Sequence, residues 1–192
     1  MAKKYEFKPD KTGKSFLERL YLTPLQRKKL FKWVLYGLLL TLLSVLQDVI
    51  FCDLQVLKAS TDLVPCGIFL ICILEGTQAG SVFALVTSML YLFSGTAPGP
   101  YVIVFITLIA ILISAFRQAY MRKGFITAML CSGAAMLVYE LALFAIGLFL
   151  KLTYFVRVFG FLTTVCLTLF FAPLIFFAGR AVYSLGGETW KE

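Results

Sequence analysis

Residues 62–100 read DLVPCGIFLICILEGTQAGSVFALVTSMLYLFSGTAPGP, two apolar runs hinged at Glu75-Gly76 and closed by a glycine and proline turn. A helix that crosses a bilayer facing lipid needs about 20 apolar residues in a row. Each of these runs is shorter than that or broken by small residues, so both are expected to lie buried among partner helices. Everything around them points the same way. The chain has 192 residues, 60% hydrophobic and 16% aromatic, with only 15% charged, and its mean hydropathy is +0.91. Such a composition excludes a water-soluble domain and implies one polytopic, all-α membrane domain.

The net charge of +8 raises nucleic acid as a partner, but ten of the 18 basic residues precede Trp33: Lys3, Lys4, Lys8, Lys11, Lys14, Arg19, Arg27, Lys28, Lys29 and Lys32. That concentration is a topology and membrane-surface signal, so lipid is the expected partner and nucleic acid is not. Cys52, Cys66, Cys72, Cys131 and Cys166 are odd in number and show no C-x-x-C spacing, which suits small buried apolar residues better than a metal or a disulfide. Histidine is absent, removing the commonest general base and metal ligand. H-E-x-x-H, G-x-S-x-G, a P-loop and paired acidic magnesium motifs are all missing, so neither an enzyme nor a cofactor is expected. No cleavable signal is expected either, because the first apolar run starts only after residue 32 and further spans follow.

Three regions follow along the chain. Residues 1–32 form a basic cytoplasmic or interfacial segment, with a capping box at Ser15-Phe16-Leu17-Glu18 opening a short amphipathic helix. Residues 33–183 form a domain of six transmembrane helices, and residues 184–192 a short cytoplasmic tail. A second capping box, Thr23-Pro24-Leu25-Gln26, starts the first span's helix, in which Gly37, Thr41, Ser44 and Asp48 make a small, polar seam expected to face the bundle. Asp62 is placed to cap the second span. Gly76, Gly80, Ala84, Thr87 and Tyr91 line the third, which ends at Phe93. The fourth runs from Pro100 to Phe116, the fifth from Gly124 to Leu150 with Gly133, Glu140 and Gly147 on one face, and the sixth from Val158 to about Gly179. With both ends indoors, only Lys58, Lys151 and Arg157 of the basic residues fall outside, as the positive-inside rule requires. If residues 62–93 were one span, Arg117, Arg122 and Lys123 would move outside, which disfavours a lower count.

Asp48 and Glu140 are the two acids within apolar spans. An ionised carboxylate there costs at least about 2.5 kcal/mol unless it finds water or a partner. Either they hold a partner protein's polar group, an ion or a ligand, or they are satisfied inside the bundle. Asp48 lies near a helix end, where reaching water is cheap. Glu140 is deeper, and Arg157 is the nearest counter-charge that spacing offers. Glu75, at the hinge, is expected to be solvated. Gln47, Gln78 and Tyr139 could extend a polar network. The small-residue pairs suit close helix packing, within the bundle or between copies in a homo-oligomer.

Six spans in under 200 residues, short second and third spans, and the S-G-x-x-x-G turn at Ser94, Gly95 and Gly99 resemble the rod shape-determining MreD family. Gly76 and Gly80 fit that family's glycine-rich third span, while Tyr91 stands where an acid is usual and marks a divergent member. Glu140 loosely matches an acid familiar from the family's fifth span. The likeness covers roughly residues 33–183. It implies a non-enzymatic bacterial plasma-membrane subunit of the cell-elongation complex, binding the single-span protein MreC and linking MreB filaments to peptidoglycan synthesis. The family is similar in fold to the substrate-binding S components of energy-coupling-factor vitamin transporters, which supply the alternative function. Short outer loops and a first span without A-x-x-x-A disfavour that alternative.

Overall fold

The computed structural model describes residues 24–49, 61–95, 97–121 and 124–185. The amphipathic helix expected after Ser15, the Thr23 cap and Cys52 lie outside the described residues. Within them are six α-helices and no strand: α1 (Pro24–Val49), α2 (Leu63–Glu75), α3 (Thr77–Phe93), α4 (Tyr101–Tyr120), α5 (Phe125–Phe149) and α6 (Val158–Leu185), with a 3-10 turn at Phe155–Arg157. Four of them, α1, α4, α5 and α6, are long and apolar enough to cross a membrane. α2 and α3 are the shorter apolar pair. The molecule is thus built as a multi-pass membrane protein.

α2 is the hub. It is apolar on every side, and a helix without a polar face must be buried on all of them. Every residue from Leu63 to Leu74 is buried, and α2 packs against each of the other five helices. α3 differs from expectation. Its Gly80, Ala84, Thr87 and Tyr91 are buried, but Val82, Val86, Leu90 and Phe93 are exposed, so it presents one face outward. Leu38 on α1, Leu112 on α4, Leu130 on α5 and Phe170 on α6 are likewise more than half exposed. An apolar coat of that extent would aggregate in water and belongs against lipid tails. Phe149, Tyr154, Phe155 and Phe159 stand exposed around the α5–α6 connection, the composition of a membrane-interface belt.

Gly76 turns the chain between α2 and α3. Its φ of +90° and ψ of 178° lie where only glycine is comfortable, and a Cβ there would collide with the Gln118 side chain. In a continuous helix residues 72 and 80 would stand about 12 Å apart along the axis. Instead Cys72 Sγ donates to the Gly80 carbonyl at 3.1 Å, and a Cβ on Gly80 would meet Cys72 Cα at 3.0 Å. Gly80 is where the two backbones touch.

The seam on α1 faces the other way from expectation. Thr41 and Asp48 are exposed, while Tyr36, Leu40 and Leu43 point inward. The small residue at this contact is on α2: a Cβ on Gly67 would lie 2.8 Å from Leu43 and 3.0 Å from Leu40. α1 supplies the knobs and α2 the hole. Thr41 tolerates an apolar surround because its hydroxyl donates to the Gly37 carbonyl at 2.9 Å.

Two helices run further than expected. α4 continues to Tyr120, so Arg117 is a buried residue of its last turn rather than part of a loop. α6 continues to Leu185, through Pro173 and past Arg180.

Candidate functional site

Polar groups collect at two levels of the bundle, one at each end of α2. At the hinge end, Glu75 is not solvated. Lys32 Nζ lies 2.8 Å from Glu75 Oε2, with both side chains 4% exposed, and the Tyr36 hydroxyl donates to Glu75 Oε1 at 2.8 Å. The ammonium also stands 5.7 Å from the Trp33 ring centre and 5.3 Å from that of Tyr183, close enough for cation–π attraction. Trp33 and Tyr36 in turn pack on Phe83 at 5.4 and 5.9 Å. The Thr77 hydroxyl donates to Gln118 Oε1 at 2.7 Å beside the hinge. This level is closed: α1, α2, α3, α4 and α6 meet there around a neutralised charge.

At the far end the arrangement is different. α2 is 13 residues long, which places Asp62 about 20 Å from the hinge. Glu140 lies 15 residues into α5, about 22 Å from that helix's start, and so arrives at the same level. The two carboxyl groups lie close enough to interact. Asp62 occupies the N-cap position of α2 but makes no side-chain cap hydrogen bond. The backbone N–H groups of this helix start are served from other helices: Asp62 N–H donates to Thr168 Oγ1 at 3.1 Å and Val64 N–H to Gln47 Oε1 at 3.1 Å. Tyr139 is fully buried, within electrostatic reach of Asp62, Glu140, Tyr91 and Tyr101. Glu140 is 3% exposed. The Tyr139 hydroxyl, Glu140 Oε1 and Thr61 Oγ1 are buried with no hydrogen-bond partner among the described residues.

Among the described residues the ion pair is Lys32–Glu75, and no base stands against Asp62 or Glu140. Arg157, offered by spacing as the counter-charge, is exposed on the 3-10 turn. Glu140 meets an acid where a base was expected. Asp48 is exposed at the end of α1, and Gln78 is exposed too. Gly95 has φ +80° and open space around it, a turn rather than a contact. Gly99 lies under the Tyr101 ring, and a Cβ on Gly133 would meet Leu169 of α6 at an ordinary 3.5 Å. Cys66, Cys72 and Cys131 are buried thiols and Cys166 an exposed one. No group of three or more metal-ligating side chains occurs among the described residues.

Asp62, Lys32, Tyr36 and Thr168 are the participants that sequence reasoning missed. Helix rise alone carried a signal for Asp62, since its distance from Glu75 matches the depth of Glu140 in α5. Comparison of the chain with family models, curated proteins and solved structures finds no match.

Proposed function

We propose that the chain is a non-enzymatic scaffold subunit of a bacterial cell-elongation complex. It resides in the plasma membrane with both ends cytoplasmic, binds a single-span partner of the MreC kind, and links MreB-type filaments to peptidoglycan synthesis. The residues behind the likeness to the MreD family are Gly76, Gly80 and the turn Ser94, Gly95, Gly99. The structural observation that favours a scaffold is the burial of α2 from Leu63 to Leu74. A helix, not a ligand, fills the axis of this bundle, which suits a rigid binding surface better than a container such as an S component.

Six crossings follow if α2 and α3 each count as one. At about 20 and 25 Å they are shorter than the hydrocarbon core of about 30 Å, and burial lets them be so. The sidedness of the other helices does not depend on that count. A hairpin that enters and returns leaves α4, α5 and α6 in the same directions as two short crossings do. The test is depletion in a rod-shaped host with pull-down of the tagged chain. Rounded cells and recovery of a single-span protein are expected. Recovery of a transport ATPase pair with unchanged cell shape would refute the scaffold and favour the S component.

A further inference from the structure

Residues 149–159, which connect α5 to α6, read FLKLTYFVRVF. Phe149, Leu152, Tyr154, Phe155 and Phe159 are each more than 70% exposed, and Lys151 and Arg157 are exposed as well. The backbone accounts for the arrangement. Lys151 takes a φ of 57°, and the Leu152 and Thr153 N–H groups both donate to the Gly147 carbonyl, at 2.8 and 3.2 Å, which reverses the chain on the last turn of α5. The Arg157 N–H then donates to the Tyr154 carbonyl at 2.9 Å, closing a 3-10 turn that leads straight into α6. The reversal holds two bases at one end of one helix pair: Lys151 follows α5 by two residues, and Arg157 is the residue before α6. Neighbouring helix axes stand about 8–10 Å apart, a gap that two extended basic side chains can close on a single anion. Neither base pairs with Asp48, the exposed acid at the end of α1. Thr153 Oγ1, between them in the chain, is buried with no hydrogen-bond partner among the described residues.

We propose that this connection docks the headgroup of an anionic phospholipid, with Lys151 and Arg157 on its phosphate and the exposed apolar side chains against the first carbons of its acyl chains. Two needs select the occupant. A free anion or an acidic protein surface would answer the bases and leave large apolar side chains in water. A zwitterionic lipid would cover those side chains, but its headgroup brings a cation of its own and leaves the bases without net charge to meet. An anionic phospholipid answers both, in the order in which the chain presents them. Position agrees with chemistry. The connection continues directly from the lipid-facing sides of α5 and α6, where Leu141, Leu162 and Phe170 are exposed, and so it stands at the headgroup layer, where aromatic side chains gather. Each base near an anionic lipid surface strengthens binding about fivefold, so the pair gives about thirtyfold. The proposal is independent of the scaffold function above.

The test reads lipid at this place alone, because the basic N-terminal segment would also draw anionic lipid. Tyr154→Trp puts a reporter in the connection of the full chain, with Trp33 and Trp190 replaced by phenylalanine. The chain is reconstituted in mixed liposomes in which either phosphatidylglycerol or phosphatidylcholine is brominated on its acyl chains, and contact is read as fluorescence quenching. Phosphatidylglycerol should be preferred at the reporter by at least about tenfold. Lys151→Gln together with Arg157→Gln should bring the two lipids to within about twofold of each other. Lys151→Arg should keep the preference, since the charge stays. Lys151→Gln alone should lower it about fivefold, and it carries the test if the double variant fails to fold. Equal quenching by the two lipids in the reporter chain would overturn the proposal, as would a preference that survives the double substitution. Absence of quenching by either lipid would place the connection away from the bilayer and overturn it too. Loss of the preference on adding inorganic phosphate at constant ionic strength would make this a free-anion site and remove the lipid.

Discussion

Replacing Glu75 with leucine would leave the Lys32 ammonium enclosed in the hinge-end cluster without its anion, and replacing Lys32 with methionine would strand the Glu75 carboxylate with the Tyr36 hydroxyl as its hydrogen-bond donor among the described residues. Breaking a buried pair from one side typically costs about 3–5 kcal/mol. Both side chains here are 4% exposed and 2.8 Å apart, which places the pair in that class and not with surface pairs worth about 0–1 kcal/mol. The rings of Trp33 and Tyr183 remain around the ammonium in Glu75→Leu, and each offsets about 0.5–2 kcal/mol of the loss. We therefore expect about 2–4 kcal/mol for Glu75→Leu and about 3–5 kcal/mol for Lys32→Met. The double variant should lie within about 1 kcal/mol of wild type, because an apolar pair of similar volume removes both desolvation penalties together. The measurement is a double-mutant cycle of SDS-induced unfolding in mixed micelles, followed by the fluorescence of Trp33 with Trp190 replaced by phenylalanine. A coupling energy below about 0.5 kcal/mol would show a solvated pair and refute the closed hinge.

Gly80→Val places side-chain carbon against the Cys72 backbone, where even a Cβ stands 3.0 Å from Cys72 Cα; a loss of about 1–3 kcal/mol is expected in the same unfolding assay. Gly37→Ala is the contrasting case, because nothing lies within 4 Å of its Cβ position; it should be neutral or stabilising by up to about 1 kcal/mol, and a clear loss would put the small seam of α1 back inside the bundle. Gly76→Ala meets both a positive φ of +90° and the Gln118 side chain, so it should destabilise by at least about 1 kcal/mol, and adding Gln118→Ala should recover only the steric part, leaving the backbone strain measurable.

The central place of residues 62–75 could be read from composition, because a 13-residue apolar helix is too short to face lipid and must be covered. The hinge could be read too, since an acid and a glycine interrupt the run there. What could not be read was which residue fills which hole. Small polar residues on α1 look like a packing seam, yet Gly67 on α2 already supplies the gap and Leu40 and Leu43 fill it. Thr41 needs no neighbour because it bonds to its own helix. Glu75 looked solvated because its partner, Lys32, is 43 residues away in a stretch whose other charges belong to a topology signal. Arg117 looked like a loop residue for the same reason: a basic residue beside a span is usually outside it, and only the packed bundle shows that α4 carries it inward.

The two acids at the ends of α2 are satisfied differently. Glu75 and Asp62 are joined by one rigid, fully buried helix, and each meets a side chain from a different helix. At the hinge the chain supplies the countercharge itself, with Lys32, Tyr36 and two aromatic faces closing around the carboxylate. At the other end Asp62 meets Glu140, a second acid, and the chain's described bases lie elsewhere. A bundle that had only to fold would gain nothing from setting two acids against each other in an apolar surround, since apolar residues of the same size would pack at lower cost. The pairing is then either a cost that the fold tolerates or an internal brace. An Asp62→Asn, Glu140→Gln double variant separates the two cases. It should unfold no more easily than wild type. If it unfolded much more easily, the acid pair would be an internal brace.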